Sequence, residues 1–395
     1  MRMIKAAERA QYAKSAIREV ETFGAALEKK GKKVRHLNIG DPNSFDFDTP
    51  LHIRDALKKA VDSRQNSYCN SLGVPELREA VKERMKKDYN AKVDDVVVTA
   101  GLSEAITFIY NALLNPGDKA LMPAPLYPPY FSMANVIGAR PILYGCDESD
   151  GWHPDIDDMR KKIDSRTKCL VIINPNNPTG AVYDRKAVKE IVDLAGEHNL
   201  IVISDEIYDR LTFDKEHVCA ASLAGDVPVL TLNGLSKVYL APGWRIGWVA
   251  FTDKAEKMTD FKEAMFKFCR LRLCTSNPAQ QAAIAALAGS RDYLKDVVAK
   301  LRKRRDFACK RIGEIDGLSV SKPEGAFYAL PKIEGPWKDD KQFVTKLVEE
   351  TGVLVVHGSG FQAEGKHFRI VTLPPVPILA EAFEKIEKFV KKHAD

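Results

Sequence analysis

Between residues 90 and 250 one pattern recurs: a short uninterrupted apolar run, a turn rich in glycine, asparagine or proline, then a helical stretch. The runs fall at 96–99, 169–173, 200–204, 229–232 and 246–251, and most are dominated by valine, isoleucine and leucine. Runs of this length bounded by turn formers read as buried strands. Strands that alternate with helices argue an α/β chain with a mainly parallel central sheet and helices on both faces. No internal repeat or low-complexity run interrupts this frame.

The rest of the chain is arranged around it. A length of 395 residues suits two domains, or one large and one small. A large domain is expected over 48–285, and a smaller α+β domain from both termini, 1–47 and 286–395. Residues 10–30 read as an amphipathic helix with Ile17, Val20, Phe23 and Leu27 on one face, ended by Gly31. The stretch 34–41 reads as a strand ending at a glycine. A long charged helix is expected over 291–316, with the basic cluster 302–305 on its solvated face, and strands at 323–329 and 353–357.

The formal charge of +6 is small for this length, and no basic cluster alternates with aromatic residues, which argues against nucleic-acid binding. The seven cysteines are scattered without a CxxC pair, as expected of reduced thiols in a cytoplasmic protein, and no metal site is expected. No apolar run is long enough to cross a membrane, and the N-terminus has no signal-like apolar segment.

Lys237 is the most unusual residue in this frame. It follows the run 229–232 and the Asn233-Gly234 break, and precedes Pro242-Gly243 and the next strand. Burial between strands disfavours an ammonium and lowers its pKa. The result is an amine able to attack a carbonyl near neutral pH, as a Schiff-base lysine must. Its neighbours carry a resemblance. Ser236-Lys237 followed by Gly243-Trp244-Arg245-Ile246-Gly247 resembles the cofactor-lysine segment of the class I/II aminotransferases, which are pyridoxal-phosphate (PLP) enzymes of the aspartate aminotransferase fold. The resemblance runs from about Asn38 to Pro374. It implies that Lys237 is the catalytic residue and the covalent anchor of PLP, that Ser236 also binds the cofactor, and that Arg245 holds the cofactor phosphate. A guanidinium suits that task because it grips phosphate oxygens with two parallel hydrogen bonds.

Other motifs extend the resemblance. The string NPNNPTG at 174–180 closes a buried run and is among the most specific of the family. It implies that Asn177 binds the cofactor's phenolic oxygen and helps orient the substrate carboxylate. The Asn177-Pro178 bond is a candidate cis peptide. Asp205 ends the next run, on the ligand edge of an open α/β sheet. By resemblance it pairs with the pyridine nitrogen, and Tyr208 donates to the phenolic oxygen. Strand, glycine turn and helix start at Gly101, Leu102 and Ser103 aim free amides at an anion. Tyr127, in PAPLYPPY, falls where the family stacks an aromatic on the pyridine ring. Tyr68, in YCNSLGVPELR, matches a tyrosine that reaches the neighbouring subunit's phosphate site, which implies a homodimer. Gly40, in IGD, lies where the main chain approaches the ligand, and Arg369, in HFRIV, matches the arginine that clamps the substrate α-carboxylate.

Substrate choice rests on finer similarity. The segments NGLSKVYLAPGWRIGW, LRLCTSNP at 271–278 and FRIVTLP at 368–374 are most similar to those of alanine aminotransferases. The implied reaction is a ping-pong exchange between L-alanine and 2-oxoglutarate. Gly234 departs from the serine that many aspartate-specific members carry three residues before the lysine. The distal carboxylate of 2-oxoglutarate needs a cation; Arg272, in its own site or across the dimer, is the candidate and Arg270 the second choice. Preference for aspartate or aromatic amino acids, and carbon–sulfur β-elimination, stay open alternatives. A transcription regulator with an aminotransferase-like sensor domain is disfavoured, because only about forty residues precede the matched region.

Overall fold

The structure, a computed structural model, describes residues 3–394. Its centre is an eight-stranded sheet. In chain order the strands are β1 (Asp95–Thr99), β2 (Lys119–Ala124), β3 (Arg140–Asp147), β4 (His153–Pro154), β5 (Thr167–Ile173), β6 (Ile201–Asp205), β7 (Val229–Gly234) and β8 (Gly247–Thr252). Their order across the sheet is β1-β8-β7-β6-β5-β2-β3-β4. The ladders β7–β6, β6–β5, β5–β2 and β2–β3 are parallel. β8 runs antiparallel to both neighbours, β1 and β7, and the short β4 runs antiparallel to β3.

The uninterrupted apolar character of these strands follows from cover on both sides, since successive side chains point to opposite faces. Val96 and Val98 of β1, with Leu170 and Ile172 of β5, join one apolar core. Val97, with Cys169, Val171 and Ile173, joins the core on the other face. Because β8 is reversed, its N-terminal end lies on the same edge as the C-terminal ends of β1 and β7. That edge is where the chemistry-bearing turns collect.

Both ends of the chain supply a further core. Leu37 packs with Ala308, Phe343, Val353, Phe368, Ile370 and Phe383, among others. Arg35–His36 pairs in parallel with Val353–Leu354. Phe368–Val371 lies between Tyr328–Ala329 and Val356–His357, antiparallel to each.

Several local expectations are corrected. The first α-helix covers Ala16–Lys29, after a separate short 3-10 turn at Glu8–Tyr12. Only Arg35–His36 is strand within 34–41, and only Tyr328–Ala329 within 323–329. The cis peptides are Ala124-Pro125 and Asn174-Pro175, not Asn177-Pro178. The long helix spans Tyr293–Gly313, and half of its basic cluster faces inward. Leu301, Ala308 and Ile312 form its buried stripe, and helical spacing carries Arg304 and Arg305 onto the same face. Arg305 is 1% exposed, donates to Asp214 at 2.9 Å and to the Pro323 carbonyl, and lies 4.6 Å from the Phe213 ring centre. Arg304 grips both oxygens of Asp46 at 2.6 and 2.7 Å. Replacing Arg305 by methionine is expected to cost about 2–3 kcal/mol in urea unfolding, against less than about 0.5 kcal/mol for the exposed Lys303→Ala.

Candidate active site

The turn after β7 presents Lys237 into a cleft at this edge. Its Nζ donates to the Gly40 carbonyl at 2.6 Å and lies 5.3 Å and 6.0 Å from the ring centres of Phe327 and Tyr208. Burial lowers its pKa from the ordinary lysine value to about 8; Asp41 opposes the shift and the charges of Arg369 and Arg245 deepen it. Asp205, 3% exposed, ends β6 beside it, its carboxylate accepting from Tyr130 Oη at 2.8 Å and the Ile207 amide at 3.2 Å. Burial raises its pKa to about 6 against the pull of those two donors. Tyr208, a turn further on, shares a 2.9 Å hydrogen bond with the Tyr328 hydroxyl.

Arg369 lies under this group, 1% exposed and sandwiched 4.6 Å from the Tyr328 and Phe361 ring centres. It donates to Asn177 Oδ1 at 3.1 Å and to the Asn38 carbonyl. Its Nε meets no acceptor among the described residues. A buried guanidinium with a spare donor is a ready site for a carboxylate. Asn177 is therefore brought beside the arginine with which the sequence pairs it.

On the other side of the cleft, Gly101 caps the Leu102–Leu113 helix with φ +78° and no side-chain cap, so the first amides of the helix, at Leu102 and Ser103, lack intrahelical acceptors. Arg245 is exposed beside them, in a left-handed conformation, donating to the carbonyls of Pro242 and Ala100 at 3.1 and 3.2 Å. Gly101 holds φ +78° and ψ 172°, a backbone conformation that residues other than glycine rarely adopt, and a Cβ there would also crowd Arg245 Nη2 at 2.5 Å. A Cβ on Gly234 would stand 2.6 Å from the Ile246 carbonyl oxygen, which leaves no room for a serine there. Ser236 is partly buried in the lysine turn. Tyr127 is held in the cleft wall, where burial raises its pKa and the nearby Ser103 hydroxyl opposes the rise.

Two expected residues stand elsewhere. Tyr68 is 81% exposed on its own chain. Arg272, expected to meet a distal carboxylate, donates from Nη1 to Glu104 at 2.5 Å and from Nη2 to the Ser71 and Val98 carbonyls at 3.0 and 3.3 Å, while its buried Nε meets no acceptor among the described residues. Glu104 also accepts from the Ala100 amide at 2.8 Å, so within the single chain Arg272 braces the turn at Gly101. Arg270 pairs with Glu263 at the surface. Sequence reading missed Tyr130, Tyr328 and Asn38. Tyr130 lies one helical turn beyond Tyr127, and that spacing was the available signal.

These residues fit PLP. Asp205 is a buried carboxylate with hydrogen bonds but, among the described residues, no bonded cation, which suits a protonated ring nitrogen. The Gly101 turn brings free amides beside the Arg245 guanidinium, which suits a phosphate. Lys237 supplies an amine whose pKa is already depressed. The same depression has a thermodynamic signature. The folded apo-protein binds fewer protons at Lys237 than the unfolded chain between about pH 8 and the ordinary lysine pKa, so this group's burial penalty is full below that window and fades as pH rises through it. Apo Lys237→Met is thus expected to melt above the wild type at pH 7, by on the order of 2 kcal/mol, with the gap closing toward pH 10.

Known proteins agree with this geometry. A family model described as aminotransferase class I and II matches residues 32–384. An alanine aminotransferase of Mycobacterium tuberculosis is 40% identical over 94% of this chain and 89% of its own. A glutamate-pyruvate aminotransferase of Escherichia coli K12 is 39% identical over 92% of each. Among solved structures, an alanine aminotransferase from Pyrococcus furiosus superposes with a TM-score of 0.96 at 51% identity, covering 98% of this chain and 100% of the other. An aspartate aminotransferase from Thermus thermophilus gives 0.90 at 31%, covering 98% and 100%. With the family model spanning most of its length and the anchor lysine, anion turn and carboxylate fork gathered on one sheet edge, the chain belongs to the class I and II aminotransferases, PLP-dependent enzymes.

Proposed function

We propose that the protein transfers an amino group between L-alanine and 2-oxoglutarate, giving pyruvate and L-glutamate by a ping-pong mechanism. The observation that carries this reading is the buried fork of Arg369 facing the same cleft as the Lys237 amine, in a chain whose near relatives bear the alanine aminotransferase name.

PLP, when bound, supplies an electrophilic carbonyl carbon and an electron-withdrawing ring. The protein's own groups do the rest. Arg369 binds the substrate α-carboxylate through its unpartnered Nε, with Asn177 Oδ1 fixing the plane of the guanidinium. Lys237 Nζ, with its pKa brought to about 8, carries the α-proton between carbon centres as a neutral base and then as an acid. The Gly40 carbonyl holds that amine in place. Asp205, positioned by Tyr130, would hold its negative charge toward the ring nitrogen. Tyr208 presents its hydroxyl with Tyr328 as its partner. The amides at 102 and 103 and Arg245 would hold the phosphate end.

We infer that the working unit is a cytoplasmic homodimer. Tyr68 and Leu271 are both 81% exposed and Leu273 is 54% exposed. The Cys69 amide donates to Cys274 Sγ at 3.4 Å, which draws these segments onto one surface, where a second copy supports the reading. The seven unpaired cysteines suit a reducing compartment.

The first test is the cofactor's absorbance. L-Alanine alone is expected to bleach the band of the bound cofactor, and 2-oxoglutarate to restore it; a band that answers to aspartate or an aromatic amino acid but not to alanine overturns the substrate. Lys237→Ala is expected to lose turnover with unchanged far-ultraviolet circular dichroism. Tyr68→Phe is expected to weaken PLP binding about tenfold while sedimentation still shows a dimer, as loss of one hydrogen bond to a charged group across the interface would do.

A further inference from the structure

Behind the lysine turn, on the side away from the cleft, three arginines converge on one another. Arg84 comes from the Pro75–Tyr89 helix, Arg210 from the turn after β6, and Arg291 from just before the Tyr293–Gly313 helix. They surround Asp88, whose side chain is 7% exposed. Arg291 takes both oxygens of Asp88 at 2.7 and 2.9 Å, and Arg210 reaches Oδ2 at 2.8 Å. Burial would raise the pKa of Asp88, yet the hydrogen bond from Arg291 and the charges of Arg210 and Arg84 hold it below the usual range, so it stays ionised.

The second carboxylate here, Asp209, accepts from Tyr89 Oη at 2.5 Å. Three guanidinium groups therefore meet two carboxylates, leaving one positive charge in excess. Donors are in surplus as well. Arg84 Nη2 and Arg210 Nε are buried and meet no acceptor among the described residues, while Arg84 Nε lies 3.4 Å from Asp88 Oδ2 without hydrogen-bond geometry. Glu206, the next carboxylate out, does not line the space; it is engaged by His217, Ser204 and the Ala220 amide.

These groups line a chamber of about 20 Å³. That is room for one water-sized particle and no polyatomic ligand of any length. Its remaining walls are largely apolar, including Val81, Met85 and Leu287. A water could meet the donors, but it would leave the excess charge uncompensated in a medium where unpaired charge is costly. We propose that the chamber binds one small monovalent anion of the halide class, chloride in solution. The anion accepts from Arg84 and Arg210 and joins three segments: the Pro75–Tyr89 helix, the turn carrying Asp209, and Val238-Tyr239, which also line the chamber immediately after Lys237.

The test compares thermal unfolding of the holoenzyme in sodium chloride and in sodium gluconate at equal ionic strength, gluconate being too large to enter. Chloride is expected to raise the melting temperature by about 2 °C or more over a tenfold or greater concentration series, as a ligand of the folded state alone must. Crystals grown in sodium bromide are expected to show an anomalous peak beside Arg84. Arg84→Met is expected to abolish both effects; if that variant does not fold, the wild-type pair of measurements decides. Equal melting in the two salts overturns the proposal, and so does a bromide peak without a melting shift, which is binding at crystal concentration only. Water density in the chamber without an anomalous signal overturns it too.

Discussion

The site depends on keeping ionisable groups out of water without giving them full counter-charges. Asp205, Arg369 and the Lys237 amine would each be stabilised by exposure, and each is instead held by neutral or weakly polar partners: Tyr130 and an amide, Asn177 and a carbonyl, the Gly40 carbonyl. Such partners lessen the desolvation cost without neutralising the charge. The groups stay receptive to a ligand's charges because the protein has not spent them on each other. A sheet covered on both faces is the framework that can bear this cost at its edge, and its large apolar cores supply the opposing stability.

Much of this could be read from the chain. Where an element is a long apolar run closed by a special residue, local chemistry and tertiary role coincide. β5 into Asn174, β6 into Asp205 and β7 into Lys237 were all readable for that reason. The reading failed where a residue's role is set by what lies opposite it. Charge argued for solvent at 302–305, but the phase of the helix decided the matter and buried Arg304 and Arg305 against carboxylates from distant segments. Cis geometry at Asn174-Pro175 instead of Asn177-Pro178 is a property of the surrounding packing, which no dipeptide reports.

Arg272 illustrates the same limit within the site. Its residue type and place near Ser276-Asn277-Pro278 suggested a substrate contact. Within the single chain it is paired with Glu104, which also accepts from the Ala100 amide at the turn before the Leu102–Leu113 helix. Tyr130 and Tyr328 likewise act through neighbours, fixing Asp205 and Tyr208 in turn. Residues that support functional groups carry no motif of their own, since many side chains could satisfy the same partner. They become visible only when the partner's geometry is known.

The reversal of β8 has a last consequence. Gly234 pairs with Gly247 across the ladder, so the segment between them is a closed loop, tied again by Leu235 N to Ile246 O at 2.9 Å and Ala241 N to Leu235 O at 3.0 Å. Lys237 and Arg245 both ride on that loop. The separation between the amine and the guanidinium is thereby a property of one short piece of chain, measured off like marks on a ruler. The rest of the molecule could breathe or shift around the loop without changing the distance at which a ligand's two ends are met.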